Sequence, residues 1–364
     1  MQITSNTTPY ASDLFVFTDK HGQKHCVVVV KATFSVDVGG RCLPSPEQVP
    51  LVYTDEHFGD PAHTAIRFES EFVPLKPRAE VLLHAQAVAG QDRAVTALDI
   101  SLAGPGVSKS SLVIGDRIWE QRLMGIKASP PNPFTIQPIA WHYAFGGSDV
   151  SHEQPARHGH EPRNLVGRGF HLNDDRTTIV GKPLPNIERP NSLMQSWSDR
   201  PDPIGFGPVG RGWQPRIEFA GTYDQRWMDE DLPFLPPDFD PLYFQSAPVD
   251  QQLANLHAGS VFQCLNMNAS GRFDVELPAW TVPVSFLFDD RQVRATLEPD
   301  TLILEPGLAR AMLIGRARVP LPRKATALKE IEIGPRARSI PAGKRHYRSL
   351  GEAVAALRKR KGSS

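Results

Sequence analysis

Cysteine is scarce in this chain, with three among 364 residues: Cys26, Cys42 and Cys264. The number is odd and none stands in a Cys-x-x-Cys pair, which argues against a disulfide framework or a thiolate metal site. All three are expected as small buried hydrophobes. No run of about 18 apolar residues occurs, and the opening "MQITSNTTPYASDLF" has neither a basic nor an apolar leader region. No membrane span or secretory signal is therefore expected, and the protein is read as cytoplasmic. Aromatic residues are few, at 8%, and no G-x-S-x-G nucleophile context appears. Net charge is absent in total but not in distribution. Residues from Gly307 to Ser364 hold 15 Lys and Arg against 3 Glu, so the preceding body is acidic by the same margin. Such a tail either meets an acidic partner or folds back on its own body.

What is abundant is turn chemistry, with 34 Pro and 28 Gly. That composition points to many short strands joined by turns. "CVVVVKATFSVDV" places Val30, Ala32, Phe34, Val36 and Val38 on one face and Lys31, Thr33, Ser35 and Asp37 on the other, the period of a half-buried strand. It follows "LFVFT" across "DKHGQK", so Leu14 to Val38 reads as a hairpin. "AIRFESEFV", "AEVLLHAQAVA", "AVTALDISLAG" and "SLVIGDRIWE" continue the pattern. It returns in "GRFDVELP", "VPVSFLFDDRQVRATLE", with Asp289-Asp290 at a turn, and "TLILE". The expected fold is mainly β, an antiparallel sandwich or barrel-like lobes with long ordered loops. A short C-terminal helix is expected from Leu350, Val354 and Leu357.

Between Pro130 and Pro248 lie 18 of the prolines and four of the six Trp, with little periodicity. Disordered linkers are poor in such rings, so this segment is expected to be ordered but irregular. The chain divides as one domain over 1–325 and a basic tail over 326–364. Two β lobes, 1–128 and 129–325 with a loop-rich middle at 130–250, remain an alternative.

Several motifs invite chemistry. "GFGPVG", Gly205 to Gly210, has the letters of a dinucleotide loop, but Pro208 and its proline-rich flanks leave no place for the required helix. "SDVSHEQPARHGHEP" carries His152, His158 and His160, near His142 and His171. They are weak candidates for a metal, and surface histidines are the plainer reading. Asp224, Asp238 and Asp240 suit an acid and base pair of a hydrolase, or a hard cation, though Asp beside Gly and Pro more often closes turns. The terminal "RKRK" is read as a solvated tail, not a nucleic-acid contact. No cofactor is expected.

Taken in order, "PIAWHYAFGG", "NLVGRGF", "LPNIERP", "DRPDPIGFGPVGRGWQPR", "GTYDQRW", "LPFLPPDFDPLYFQSAPVDQQ" and "GRFDVELP" resemble the bacterial family catalogued as domain of unknown function 2169. "RFESEFVPLKPRAEVLLHAQA" and "VIGDRIWE" extend the resemblance over roughly residues 1–300. It implies a place among proteins encoded in type VI secretion clusters, some described as adaptors or chaperones. These help load a toxic effector onto the secretion spike. The implied partners are a secreted effector and spike or tip proteins, with no nucleic acid or membrane. No catalytic residue follows from the resemblance. By side-chain type, the expected partner anchors are Trp197, Trp213, Trp227, Phe239 and Tyr243, with Arg211 and Arg216 as polar partners. The rival expectations are a metal-dependent hydrolase and a structural component of the spike.

Overall fold

The thirteen residues Lys24–Val36 form the strand around which the molecule is organised. Four consecutive valines, Val27 to Val30, favour it because branched side chains are stiff and fit a pleated surface. It pairs with Ala11–Thr18 on one side, closing the expected hairpin, and with Arg310–Pro320 along eleven residues on the other. The computed structural model describes residues 2–90, 93–322 and 327–335. Among them the protein is mainly β, with multiple antiparallel sheets, two short helices and no closed barrel. No helix among the described residues is long and apolar enough to cross a membrane.

The largest sheet runs in the order Gln252–Leu253, Ala79–Leu83, Pro299–Glu305, Arg310–Pro320, Lys24–Val36, Ala11–Thr18, with Cys42–Pro44 added to the end of Lys24–Val36. Only the contact of Ala79–Leu83 with Pro299–Glu305 is parallel in it. A second sheet joins Ile187–Glu188, Val107–Ile114, Ala97–Gly104, Val261–Leu265 and Arg272–Glu276. A third joins Ile3–Asn6, Leu328–Ile333, Val282–Phe288 and Gln292–Leu297. Val30 and Phe34 of the first sheet, Leu102 and Phe262 of the second, and Val284 and Phe286 of the third share one buried cluster. Residues on both sides of position 129 thus meet in one core.

Two expectations at the strand level are corrected. Val38 lies beyond the end of Lys24–Val36 and is fully exposed. Lys31 and Thr33, expected on a solvated face, are completely buried. The reason is a second layer, in which Leu51, Phe68, Phe72 and Ala247 cover the side of the large sheet that carries Val27, Val29, Met312 and Ile314. That layer brings its own polar partners. Lys31 Nζ donates to Glu71 Oε1 at 2.6 Å and to the Pro50 carbonyl at 3.0 Å. Glu71 Oε2 accepts from the Val52 amide at 3.1 Å, and Thr33 Oγ1 from the Val49 amide at 3.0 Å.

Removing one member of such a buried pair strands the other charge. Glu71→Ala is therefore expected to cost about 3 kcal/mol in urea unfolding, whereas Lys31→Met combined with Glu71→Leu recovers most of that loss. A double variant no more stable than the single one would show that the pair is not the source of the cost.

The segment expected as a basic tail begins with structure. Leu328–Ile333 is a strand that pairs in parallel with Ile3–Asn6 and antiparallel with Val282–Phe288. The expected helix around Leu350 to Leu357, and the rest of the tail from 336, lie outside the described residues.

Candidate partner-binding surface

The stretch "GTYDQRWMDEDLPFLPPDFD", 221–240, leaves the body and returns to it as a clamped loop. At its base the Thr222 amide and hydroxyl both donate to Asp238, at 2.9 and 2.7 Å. The Asp240 amide donates to the Phe219 carbonyl at 3.0 Å. Gly221 has φ +82°, and a Cβ there would come within 3.0 Å of Asp238, Phe239 and Pro236, so the crossing needs glycine. Lys20 Nζ donates to the Pro237 carbonyl at 2.8 Å, fastening the loop to the hairpin of the large sheet. Compact loops with neighbouring ends, packed by their own side chains, are frequently functional.

Within the loop, Gln225–Glu230 forms a short helix capped by Asp224, whose carboxylate accepts from the Trp227 amide at 2.9 Å. Trp227 Nε1 donates to the Phe234 carbonyl at 2.9 Å, and its ring meets Tyr223 edge to face at 4.7 Å. These contacts hold Tyr223 and the Phe234 backbone within an apolar set that stays partly exposed, the Phe234 ring tip lying against Gly22. Tyr223 is 51% exposed, Met228 49%, Leu232 59% and Phe234 39%. Asp224, Asp229, Glu230 and Asp231 lie among them. An apolar group of this kind, set among charges on a fixed backbone, is the composition of an interaction surface.

The expected anchors separate by burial. Trp213 is buried against Trp141 at 5.8 Å, edge to face, in a cluster with Ala65 and Val209. Phe239 is buried against Phe244 at 5.3 Å. Arg216 is buried and paired with Glu69 at 2.7 Å, and it also donates to the Val209 and Tyr243 carbonyls. Arg211 reaches the same Glu69 at 2.9 Å and pairs with Asp55. Trp197 packs beside the buried Trp119, Phe145 and Met194. Tyr243 is half-buried beneath the Arg216 guanidinium at 5.6 Å. Trp213, Phe239 and Arg216 thus hold the loops together from inside. Trp227 alone of the set is packed with the exposed apolar residues of the loop.

Residues 21–316 match the family model described as an uncharacterized protein conserved in bacteria, domain of unknown function 2169. The chain belongs to that family. Neither a curated protein nor a solved structure matches it. In this member of the 2169 family the match spans the clamped loop, the Trp141 and Trp213 cluster and most of the strands.

The three carboxylates suited to a hydrolase each make a local structural contact. Asp224 caps the short helix, Asp238 holds the loop base, and Asp240 caps the turn Pro241–Phe244 by accepting from the Leu242 amide at 2.8 Å. Hydrogen bonds from Thr222 hold the Asp238 carboxyl below its ordinary range, so it is anionic and engaged. His152 Nδ1 accepts from the Gln154 amide at 3.0 Å, and His158 Nε2 lies 2.6 Å from the His152 carbonyl. His160 is exposed. Among the described residues no three His, Cys, Asp or Glu side chains converge as a metal site would require. His142 is used locally, accepting from the Ala65 amide, and burial first, then the Arg168 charge, pushes it down to about 4.

Gly205 and Gly210 of "GFGPVG" serve ring packing. A Cβ on either would strike the Trp141 or Trp213 indole, at 2.4 and 2.6 Å. Cys26 and Cys264 are buried, and burial pushes their thiols up to about 11 and about 12. Half-buried Cys42 is pushed up to about 12, by burial first and then by Asp37 and Glu276.

Side-chain type alone missed Tyr223, Met228, Leu232 and Phe234. The available signal was their interleaving with five Asp and one Glu in a proline-bounded stretch. Apolar residues among so many carboxylates have few ways to be buried.

Proposed function

We propose that this protein is a type VI secretion adaptor or chaperone, which binds an effector or its spike-tip region and helps load it onto the secretion spike. The observation that carries the reading is the exposed set Tyr223, Met228, Leu232 and Phe234 on a loop clamped at both ends. A surface ordered before binding loses little entropy when the partner arrives. The surrounding Asp224, Asp229, Glu230 and Asp231 favour a partner with a basic rim, and charge at a rim acts mainly on encounter rate and specificity. Such a contact is specific yet releasable, as a loading factor requires. The family's place beside secretion genes, implied by the resemblance, supplies the cargo.

A structural spike component would leave the cell with the spike, whereas an adaptor stays behind. Fractionating a secreting culture of the parent bacterium is expected to find this protein in the cells while spike and effector reach the medium. Its recovery from the medium in step with the spike would overturn the adaptor reading.

A further inference from the structure

A cleft of about 570 Å³ opens in the loop-rich middle of the chain, separate from the exposed apolar set of the clamped loop. That volume lies in the range of pockets that enclose a drug-sized ligand or a few residues of a peptide. Its wall is apolar at Trp141, Pro203, Phe219, Leu242, Pro248 and Val249. Into the same space come five cationic residues: Arg78, Lys109, Arg163, Arg189 and Arg216.

Three of the five are already satisfied. Lys109 Nζ donates to the Gly205 carbonyl, Asp250 and Gln251, at 2.6, 2.8 and 2.8 Å. Arg163 pairs with Glu161 and Asp202, and Arg216 with Glu69. The two carboxylates that line the cleft, Asp202 and Asp250, are therefore taken. Among the described residues Arg78, exposed at the cleft rim, and half-buried Arg189 make no ion pair and no side-chain hydrogen bond, and only Arg189 Nε is shielded from water without an acceptor. A buried N–H donor without a partner is uncommon, because its desolvation goes uncompensated.

We infer that this cleft binds an acidic, extended peptide segment of a partner protein, with carboxylates meeting Arg78 and Arg189 and neighbouring apolar side chains lying on the Trp141, Phe219 and Leu242 wall. Charge complementarity selects the sign, and the planar guanidinium fork suits a carboxylate. The wall and the amides select a peptide over a small inorganic anion. The Gln214 side-chain amide is unused among the described residues, and Gln252 donates only to the Ala247 carbonyl, leaving its oxygen free. Such groups pair with a peptide backbone.

The test uses the full-length protein and a phage-displayed library of random dodecapeptides. Sequences with Asp or Glu beside Leu, Phe or Trp are expected to be enriched. The best peptide, labelled with fluorescein, is expected to bind at least about tenfold more weakly to Arg78→Gln/Arg189→Gln. That variant should keep its melting temperature, and a variant altered only in the exposed loop, Tyr223→Ser/Met228→Ser/Leu232→Ser, should keep its peptide affinity. The loop control separates this site from the adaptor surface, so either can fail alone. Enrichment without acidic residues, or equal affinity in the double variant, would overturn the inference. So would self-association of the chain that the double variant abolishes, since the occupant would then be a second copy.

Discussion

Glu80→Ala is expected to lower the unfolding free energy by about 3–5 kcal/mol at neutral pH, the cost of stranding a buried charge. Glu80 sits in Ala79–Leu83, fully buried at the junction of the large sheet with the layer that covers it. One carboxylate oxygen pairs with Lys76 and accepts from Ser246 Oγ at 2.7 Å. The other accepts from Gln245 Nε2 at 2.9 Å and from the Ser246 and Ala247 amides at 2.9 and 3.1 Å. Alanine leaves the Lys76 ammonium buried and two backbone amides without acceptors. It also frees the strap that places Ala247 on the second face of the sheet. Equilibrium urea unfolding checks the value, and a loss below about 1 kcal/mol, the worth of a single ordinary hydrogen bond, would contradict it.

The same residue sets a pH dependence. Burial alone would raise the Glu80 pKa, but the Lys76 charge and the hydrogen bonds from Lys76, Ser246 and Ala247 outweigh it and hold the group below its ordinary 4.5. The unfolded chain therefore takes up this proton first as the pH falls. Glu80's contribution is complete above about pH 4.5 and declines as the pH drops through the lower folded value. The gap between wild type and Glu80→Ala should accordingly narrow in acid. A gap unchanged between pH 7 and pH 3 would show that the ionised carboxylate is not what stabilises the junction.

Two tryptophans that look alike in sequence should behave in opposite ways. Trp213→Ala is expected to cost about 3–5 kcal/mol, because it empties a site closed by Trp141, Val209 and Gly210. Trp227→Ala removes a ring that is already partly in water, together with its bond to Phe234. It is expected to cost about 1 kcal/mol in stability. On the proposed function, Trp227→Ala also weakens partner binding by about 2 kcal/mol, close to thirtyfold. Thermal unfolding and a binding titration on the same two preparations separate the effects. Similar stability losses for both variants would refute the assignment of one ring to the core and the other to the surface loop.

The contrast shows where the sequence was informative. Alternation located Lys24–Val36, and the turn residues Asp289 and Asp290 located the hairpin between Val282–Phe288 and Gln292–Leu297, because those signals are local. The burial of Lys31 was not legible. Its partner Glu71 lies forty residues on, in "AIRFESEFV", whose strand-like pattern says nothing of what faces it, and only the tertiary layer brings the two together. The strand Leu328–Ile333 was hidden for a related reason: its parallel neighbour, Ile3–Asn6, comes from the other end of the chain. At the surface, side-chain type named Trp and Arg as anchors, yet Trp213 and Arg216 are buried. Whether each faces water depends on which loop lies over it, and that is set by long-range packing around Glu69, Glu80 and Gly205.

The most direct test of the adaptor reading is to recover the tagged protein from its own host cells and identify what accompanies it by mass spectrometry. Wild type and Tyr223→Ser/Met228→Ser/Leu232→Ser are compared at equal abundance and melting temperature. The account predicts that wild type brings down an effector or spike-tip protein and that the triple variant brings down at most about a tenth as much. Equal recovery by the two proteins, or a wild type that recovers neither kind of partner, would contradict it.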